Sequence, residues 1–437
     1  MSFASEPVVD GVFDDEDIPA DLTLTAMIRD TLGPPEPTRG DLEKMLARAD
    51  AWRDSPTTPE RLAHINQLAA HFYQDQFAGS WAQPYLTDRF GVDLSGDRNV
   101  RPGYAPAGWT TLVHHLHTLG VTDMEMLTAG LATTASTGRL IDRFRDRAVF
   151  PIIHDDVVLG FVGRRHPDRT DTDTAGPKYL NTADTPLFHK GDQLFAPERL
   201  LATGAIPVIV EGPMDAIAVT LATGGRYAGV APLGTSLTDE QAAQLVAWGR
   251  QPVVATDADL PGRAAAERDY WILTPHGHDP LFAHLPDGTD PADLLATGRA
   301  SVLTDALTTA GPLGDVLIDE RFAHLPPADA AIEAVRIVAA QPATKWETGV
   351  QQIADRLDLP PSVIRYTLKD LADAWNRDPR AAAQTPLANL QNVKARLARD
   401  GGGASGEVVT TNRVPHQAHD RTPATPVALQ PRPGLDR

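Results

Sequence analysis

The chain has 437 residues, 42% of them apolar and 22% charged, which is enough apolar material for several packed cores. Asp and Glu outnumber Lys and Arg by 58 to 39, a net charge of −19, which argues against a small basic protein that coats nucleic acid and leaves room for a local basic groove. The Cys count is 0, so disulfides, thiolate zinc sites, iron–sulfur clusters and cysteine nucleophiles are excluded from these residues. No apolar run approaches the roughly 20 residues that span a bilayer, and the acidic start lacks the basic flank of a secretory signal. The expectation is a cytoplasmic protein with no membrane contact.

Residues 1–40 are acidic and broken by Pro34, Pro35 and Pro37, and read as a mobile leader. Residues 41–140 read as helical. Leu42, Met45 and Leu46 begin one apolar face, and a second helix runs from Thr58 to about Phe77. Thr58 is its expected cap, and Pro59 suits its first turn. Shorter helices are expected at Pro84–Phe90, Thr110–Leu119 and Asp123–Ala129, separated by glycines.

Residues 141–203 change period. Ala148–Ile153 and Val157–Val162 read as a hairpin turning at His154, Asp155 and Asp156. A polar loop follows over 166–177. Arg143, Arg145 and Arg147 alternate with Phe144 and Asp146, so an extended chain would put the three arginines on one face. Arg164, Lys178, Asn181 and Lys190 lie in the neighbouring segments. Such a face suits a single-stranded nucleic-acid backbone held without sequence reading.

Residues 204–300 alternate strand and helix. Strands are expected at Pro207–Gly212, Tyr227–Ala231 and Pro252–Asp257. Helices are expected at Met214–Leu221, Thr238–Gly249 and Gly262–Tyr270, with a short strand at Trp271–Leu273. That order predicts an α/β layer built on a parallel sheet, whose ligands sit beyond the carboxyl ends of the strands. Glu211, Asp257 and Asp259 stand there, with Asp215 four residues past Glu211 and Asp290 and Asp293 farther on. Converging carboxylates repel one another unless a cation or protons compensate, and an all-oxygen set suits Mg²⁺ or Mn²⁺. No Gly-x-x-x-x-Gly-Lys-Ser/Thr loop is present, which argues against a P-loop motor. Residues 301–376 read as a helical subdomain. The stretch 352–370 has helix-turn-helix spacing, with Ile353, Leu357, Val363 and Leu368 as its core. Residues 377–437 read as a largely disordered tail.

Glu211-Gly-Pro-Met-Asp215, Thr256-Asp-Ala-Asp259 and Pro261-Gly-Arg263 resemble the Toprim domain. Arg143-Phe-Arg-Asp-Arg-Ala-Val-Phe-Pro-Ile152, Gly160-Phe-Val-Gly-Arg164 and the run Lys178 to Gly191 resemble the amino-terminal lobe of bacterial DnaG-type primases. Val230–Thr238 and Leu285–Pro291 match the Toprim half of the same family. The resemblance runs from about residue 65 to 300.

It implies a Toprim parallel α/β core, a mixed α+β primase lobe before it and a helical subdomain after it. It implies Glu211, Asp257 and Asp259 as catalytic acids that bind metal, with Asp215 and Asp290 completing the metal set. Arg143, Arg145, Arg147, Arg164, Lys178, Asn181, Lys190 and Arg263 become the nucleic-acid or nucleotide contacts. The implied activity is metal-dependent synthesis of short RNA primers on single-stranded DNA from ribonucleoside triphosphates, with a replicative helicase or an initiation partner alongside. A Toprim nuclease and a catalytically weak single-strand-binding adaptor are the alternatives.

Two departures stand out. The family reads Asp-Pro-Asp where this chain reads Asp290-Pro-Ala292, with Asp293 one place late. One residue of slip on a helix turns a side chain by about 100°. The family also carries a zinc ribbon of three Cys and one His, which a chain with no Cys cannot form. Residues 1–60 or a partner are expected to act in its place, without zinc.

Overall fold

The computed structural model describes residues 39–53, 55, 57–169 and 176–385. The expected leader up to residue 38, the tail beyond residue 385 and the tip of the polar loop lie outside the described residues.

The helix Pro59–Asp75 starts as its sequence dictates. The Thr58 hydroxyl accepts the Arg61 amide at 3.3 Å, and Pro59 occupies the first turn. Its apolar stripe, including Leu62, Ile65 and Ala69, packs with Leu112, Leu116, Phe144 and Phe161. One core therefore runs across residue 140. Asp142 is buried in it, and its two carboxylate oxygens accept the amides of Leu112 and Val113, both at 2.9 Å, at the start of the helix Thr111–Thr118. That arrangement satisfies amides which a helix start leaves without partners.

The hairpin is longer than its apolar runs. Its strands are Arg147–His154 and Val157–Arg165, in an antiparallel sheet with Gly103–Ala105 and Tyr179–Asn181 on either side. Asp155 and Asp156 turn the hairpin with φ of 49° and 63°, the left-handed pair that a two-residue turn requires.

The second sheet has six strands in the order Gly311–Pro312, Leu281–Phe282, Val253–Val254, Ile206–Ile209, Tyr227–Pro232, Leu194–Phe195. The four inner strands are parallel and the two outer ones antiparallel. Gly229 on a central strand meets the backbone of Ala216 in the helix Pro213–Ala222 so closely that no side chain fits.

Trp271–Leu273 is not a strand. It is the last turn of the helix Leu260–Leu273, where Tyr270 and Leu273 are buried, and Leu281–Phe282 takes the strand position instead. Beyond the sheet, the helices Leu313–His324, Pro327–Ala340, Trp346–Leu357 and Pro361–Arg377 share a core with Tyr270. Ile353 and Leu368 are inside it, whereas Leu357 and Val363 are only partly buried and Ile364 fills the inner position. No helix among the described residues is long and apolar enough to cross a membrane.

Candidate active site

Val208 pairs with Val253 and Ile209 with Val254, so the two parallel strands end side by side. Both are shorter than expected from sequence, and Glu211 and Asp257 stand on the loops just past their carboxyl ends. The Asp257 amide donates to a Glu211 carboxylate oxygen at 3.4 Å. A third loop joins them: Ala258 N–H meets the Thr289 carbonyl at 3.4 Å and Gly288 N–H the Ala258 carbonyl at 3.2 Å, which brings Asp290 alongside. Asp215, in the first turn of the helix Pro213–Ala222, accepts the Ala292 amide at 3.3 Å.

The charges register this convergence. Burial pushes the Asp257 carboxyl up to about 7, reinforced by Glu211, Asp290 and Asp259 and relieved by Lys178. Burial likewise pushes Asp215 up to about 7, reinforced by Asp290 and Asp257 and relieved by the Ala292 amide and Arg89. The five acids therefore share one field.

Asp257 and Asp259 do not lie on an extended chain. The Asp259 amide turns back to the Asp257 carbonyl at 2.8 Å, and the Asp259 carboxylate caps the next helix through the Gly262 amide at 2.7 Å. Asp290 caps its own helix through the Asp293 amide at 2.5 Å. With Glu211 and Asp215, four of the five carboxylates accept backbone amides. Among the described residues no three His, Asp or Glu side chains stand as a ready ion cage. The donors are nonetheless all hard oxygens crowded against their own repulsion, a set whose chemistry fits a divalent cation of the Mg²⁺ type.

The slipped acid has a different partner. Ala292 is 0% exposed. The Asp293 carboxylate points to the Arg89 guanidinium at 2.7 Å, and Asp290 reaches the same group at 3.5 Å. Arg89 lies on the helix Ala82–Phe90 of the first lobe, so this contact joins the two lobes.

The three alternating arginines do not share a face. Asp146 takes a left-handed turn, φ 51°, and breaks the extended path. Arg147 is 3% exposed and spends Nη1 on the carbonyls of Gly163 and Pro177 at 3.1 and 2.9 Å. Arg143 is half-buried and donates to the Asn181 carbonyl through Nε and Nη2 at 2.9 and 2.7 Å. The Asn181 side chain in turn donates to the Leu233 carbonyl at 2.6 Å. Arg143 and Asn181 thus tie the lobes together. Arg145 is hydrogen-bonded to the Asp142 carbonyl and lies 4.6 Å over the ring of Trp109, itself 65% exposed.

Lys178 is exposed beside the acids, 5.8 Å from the Tyr179 ring, with Arg164 over the same ring at 5.2 Å. Arg164 also reaches the Tyr85 hydroxyl at 3.4 Å. Arg263, in the first turn after Asp259, and Lys190 are exposed. Phe188 is fully buried and offers no stacking face.

Sequence reasoning missed Arg89, Trp109 and Asp269. Asp269 is buried on the helix Leu260–Leu273, and burial first, then Glu211, raises its carboxyl to about 7. Its helical spacing from Ala266 and Leu273 was the available signal.

A family model described as the DNA primase catalytic core, N-terminal domain, matches residues 72–200, and a Toprim-like model matches residues 208–295. The RNA polymerase domain of the Mycobacterium tuberculosis primase DnaG is 31% identical with a TM-score of 0.60, over 68% of this chain and 99% of that domain. The chain belongs to the bacterial DnaG-type primase family.

A DNA primase of Clostridium acetobutylicum is 30% identical over 303 residues, 68% of this chain and 48% of that protein. The primase-family chain therefore spans about half the length of that curated relative. A structure described as a DnaG primase catalytic domain bound to single-stranded DNA aligns over 72% of this chain with a TM-score of 0.58 at 25% identity. The fold class is that of the primase catalytic core: a mixed lobe, a Toprim sheet and a helical region in that order.

Proposed function

We propose that this chain synthesises short RNA primers on single-stranded DNA, joining ribonucleotides with release of pyrophosphate. The observation that carries the reading is the Glu211–Asp257 pair at the ends of adjacent parallel strands, with Lys178 beside it. The matches to primase and Toprim domains support it.

Glu211, Asp257 and Asp259, with Asp215 and Asp290 behind them, are the residues we assign to a divalent ion, Mg²⁺ or Mn²⁺. When bound, such an ion supplies positive charge to the attacking and leaving oxygens of a phosphoryl transfer. The chain's own cations do the positioning. Lys178 and Arg164 stand beside the acids, where phosphates of an incoming triphosphate would meet them, and Arg263 and Lys190 add exposed positive charge. Arg145 stacked on Trp109 offers an aromatic and cationic platform for single-stranded template. Arg143, Asn181 and Arg147 act from inside, by fixing the sheet that presents Lys178. A cytoplasmic setting and a replicative helicase or initiation partner belong to the same proposal.

The test is incorporation of labelled ribonucleotides on mixed-sequence single-stranded DNA with Mg²⁺ or Mn²⁺. Template-dependent products that vanish in the Asp257→Ala/Asp259→Ala variant support the reading; no products, even with a preformed primer, refute it.

Burial of Ala292 and capture of Asp293 by Arg89 favour a second reading, an adaptor that binds single-stranded DNA without turnover. DNA binding unchanged in the same double variant, with no incorporation in either protein, selects that reading.

A further inference from the structure

The strand Tyr227–Pro232 runs parallel to Ile206–Ile209, and past their last paired residues the Val210 amide donates to the Val230 carbonyl at 3.0 Å. The loop that follows, residues 233–237, therefore leaves the sheet at the edge where Glu211 stands. It is one strand over, about 4.8 Å in the pairing direction, on the side of Glu211 away from Asp257. The strand Leu194–Phe195 pairs antiparallel on the far side, with Leu194 opposite Pro232. The residues just before it, Lys190 among them, come to the same edge.

The loop is pinned at both ends. The Asn181 side-chain amide holds the Leu233 carbonyl at 2.6 Å. The buried Asp269 carboxyl accepts the Leu237 amide, which joins the loop to the helix that begins after Asp259. Just beyond, the Thr238 hydroxyl donates to the Gly191 carbonyl, and the Gln241 side chain donates to the carbonyls of Lys190 and Gln193 at 3.1 and 2.7 Å. These bonds lock residues 190–193 against the end of the loop.

Between the pins the donors are free. The amides of Gly234, Thr235 and Ser236 and the hydroxyls of Thr235 and Ser236 have no hydrogen bond among the described residues. Gly234 and Thr235 are exposed, and the space over Gly234 is open. The Lys190 ammonium is exposed and has no hydrogen bond or ion pair among the described residues. The acids of the flanking segments are already engaged. Asp239 pairs with His276 at 3.1 Å, Glu240 with Lys44 at 3.2 Å, Asp184 accepts the Lys190 amide at 3.5 Å, and Asp192 has a partner of its own. Consecutive free amides and hydroxyls beside a free ammonium form a donor set for an anion.

We infer that the loop Gly234–Ser236 binds the β- and γ-phosphates of the incoming ribonucleoside triphosphate, with Lys190 as its cation. The nature of this ligand rests on the primer-synthesis reading. The reacting phosphate belongs at the acids, so the phosphates beyond it are the ones that extend to the neighbouring loop. Asp269 and Asn181 are positioning residues in this scheme, since they hold the ends of the loop and leave its donors free.

The test is equilibrium dialysis of the full chain, with Mg²⁺ and an unlabelled oligo(dT) template, against labelled α,β-methylene ATP, which cannot transfer its nucleotide, and against labelled AMP. Oligo(dT) binding is measured separately by fluorescence anisotropy. The variants are Thr235→Ala/Ser236→Ala, which removes both hydroxyls, and Thr235→Pro, which removes one amide. The triphosphate analogue should bind about tenfold or more weakly in each, because bonds to a charged acceptor are lost. AMP and oligo(dT) should bind as before. Circular dichroism checks the fold, and the alanine pair decides the matter if the proline variant unfolds.

The inference is overturned if the unmodified chain does not bind the analogue, or if binding is unchanged in a folded variant. Weakened oligo(dT) binding with unchanged analogue binding would give the loop to the phosphates of a strand and likewise overturn it. Loop-dependent binding of the analogue without any ribonucleotide incorporation would refute primer synthesis alone. Incorporation with loop-independent binding would refute this inference alone.

Discussion

Gly262 packs against the carbonyl of Asp257 so closely that no Cβ fits between them. The same residue donates its amide to the Asp259 carboxylate. One glycine thus sets the path of the loop that carries both acids. Gly262→Ala should push that loop away from Glu211. A displacement of about 1 Å at reacting groups costs on the order of 100-fold in rate. The expected result is a loss of that size in ribonucleotide incorporation with an unchanged far-ultraviolet circular dichroism spectrum. Full activity would show that the loop has freedom the packing denies it.

Acid stability should run in an unusual direction. Asp215, Asp257 and Asp269 are each raised to about 7, against about 3.9 for an unfolded Asp. Between these values the folded chain binds more protons than the unfolded one, so stability falls as pH rises from about 4 to 7 and then levels. Glu125 is held down to about 2 by the Arg61 guanidinium, and its opposite effect lies below this window. Melting in EDTA should therefore show Tm falling from pH 5 to pH 7.5, with a shallower fall in Asp257→Asn. Mg²⁺ should raise Tm more at pH 8 than at pH 5. A Tm that rises across the window in the unmodified chain but not in Asp257→Asn would contradict the assignment.

Arg89 reaches both Asp293 and Asp290 and lowers the proton affinity of Asp215. The pair is partly exposed, so Arg89→Gln should cost only about 1 kcal/mol of stability. Its larger effect should be electrostatic. Without this cation the acidic site becomes more negative, and Mn²⁺ binding followed by electron paramagnetic resonance should tighten several-fold. Weaker binding would mean that Arg89 holds the acids in place more than it opposes the ion.

Gly229→Ala places a methyl group into the backbone of Ala216, between a central strand and the helix that carries Asp215. Overpacking of this kind costs about 1–3 kcal/mol. Urea unfolding should show a lower midpoint with an unchanged slope.

Much of this was legible in the chain. Val208-Ile-Val and Pro252-Val-Val, each followed by an acid, announced parallel strands with carboxylates past their ends, and the sheet is built that way. The local path was less legible. Alternation of Arg143, Arg145 and Arg147 makes one face only in an extended chain, and the left-handed Asp146 ends that geometry. Asp257 and Asp259 look extended until the cap on Gly262 folds the loop between them. Arg89 and Asp293 are far apart in sequence, and nothing local marks either as the other's partner. Tertiary contacts, not spacing, decide where Asp293 points.

The most direct test of the central claim is extension of an RNA primer annealed to a poly(dT) template, supplied with one labelled ribonucleoside triphosphate at a time and Mg²⁺. Template-directed transfer at the acidic site predicts addition of AMP only, pyrophosphate released in equal amount, and neither in Asp257→Asn/Asp259→Asn. Addition of all four nucleotides alike, cutting of the primer–template without addition, or addition that persists in the double variant would contradict it.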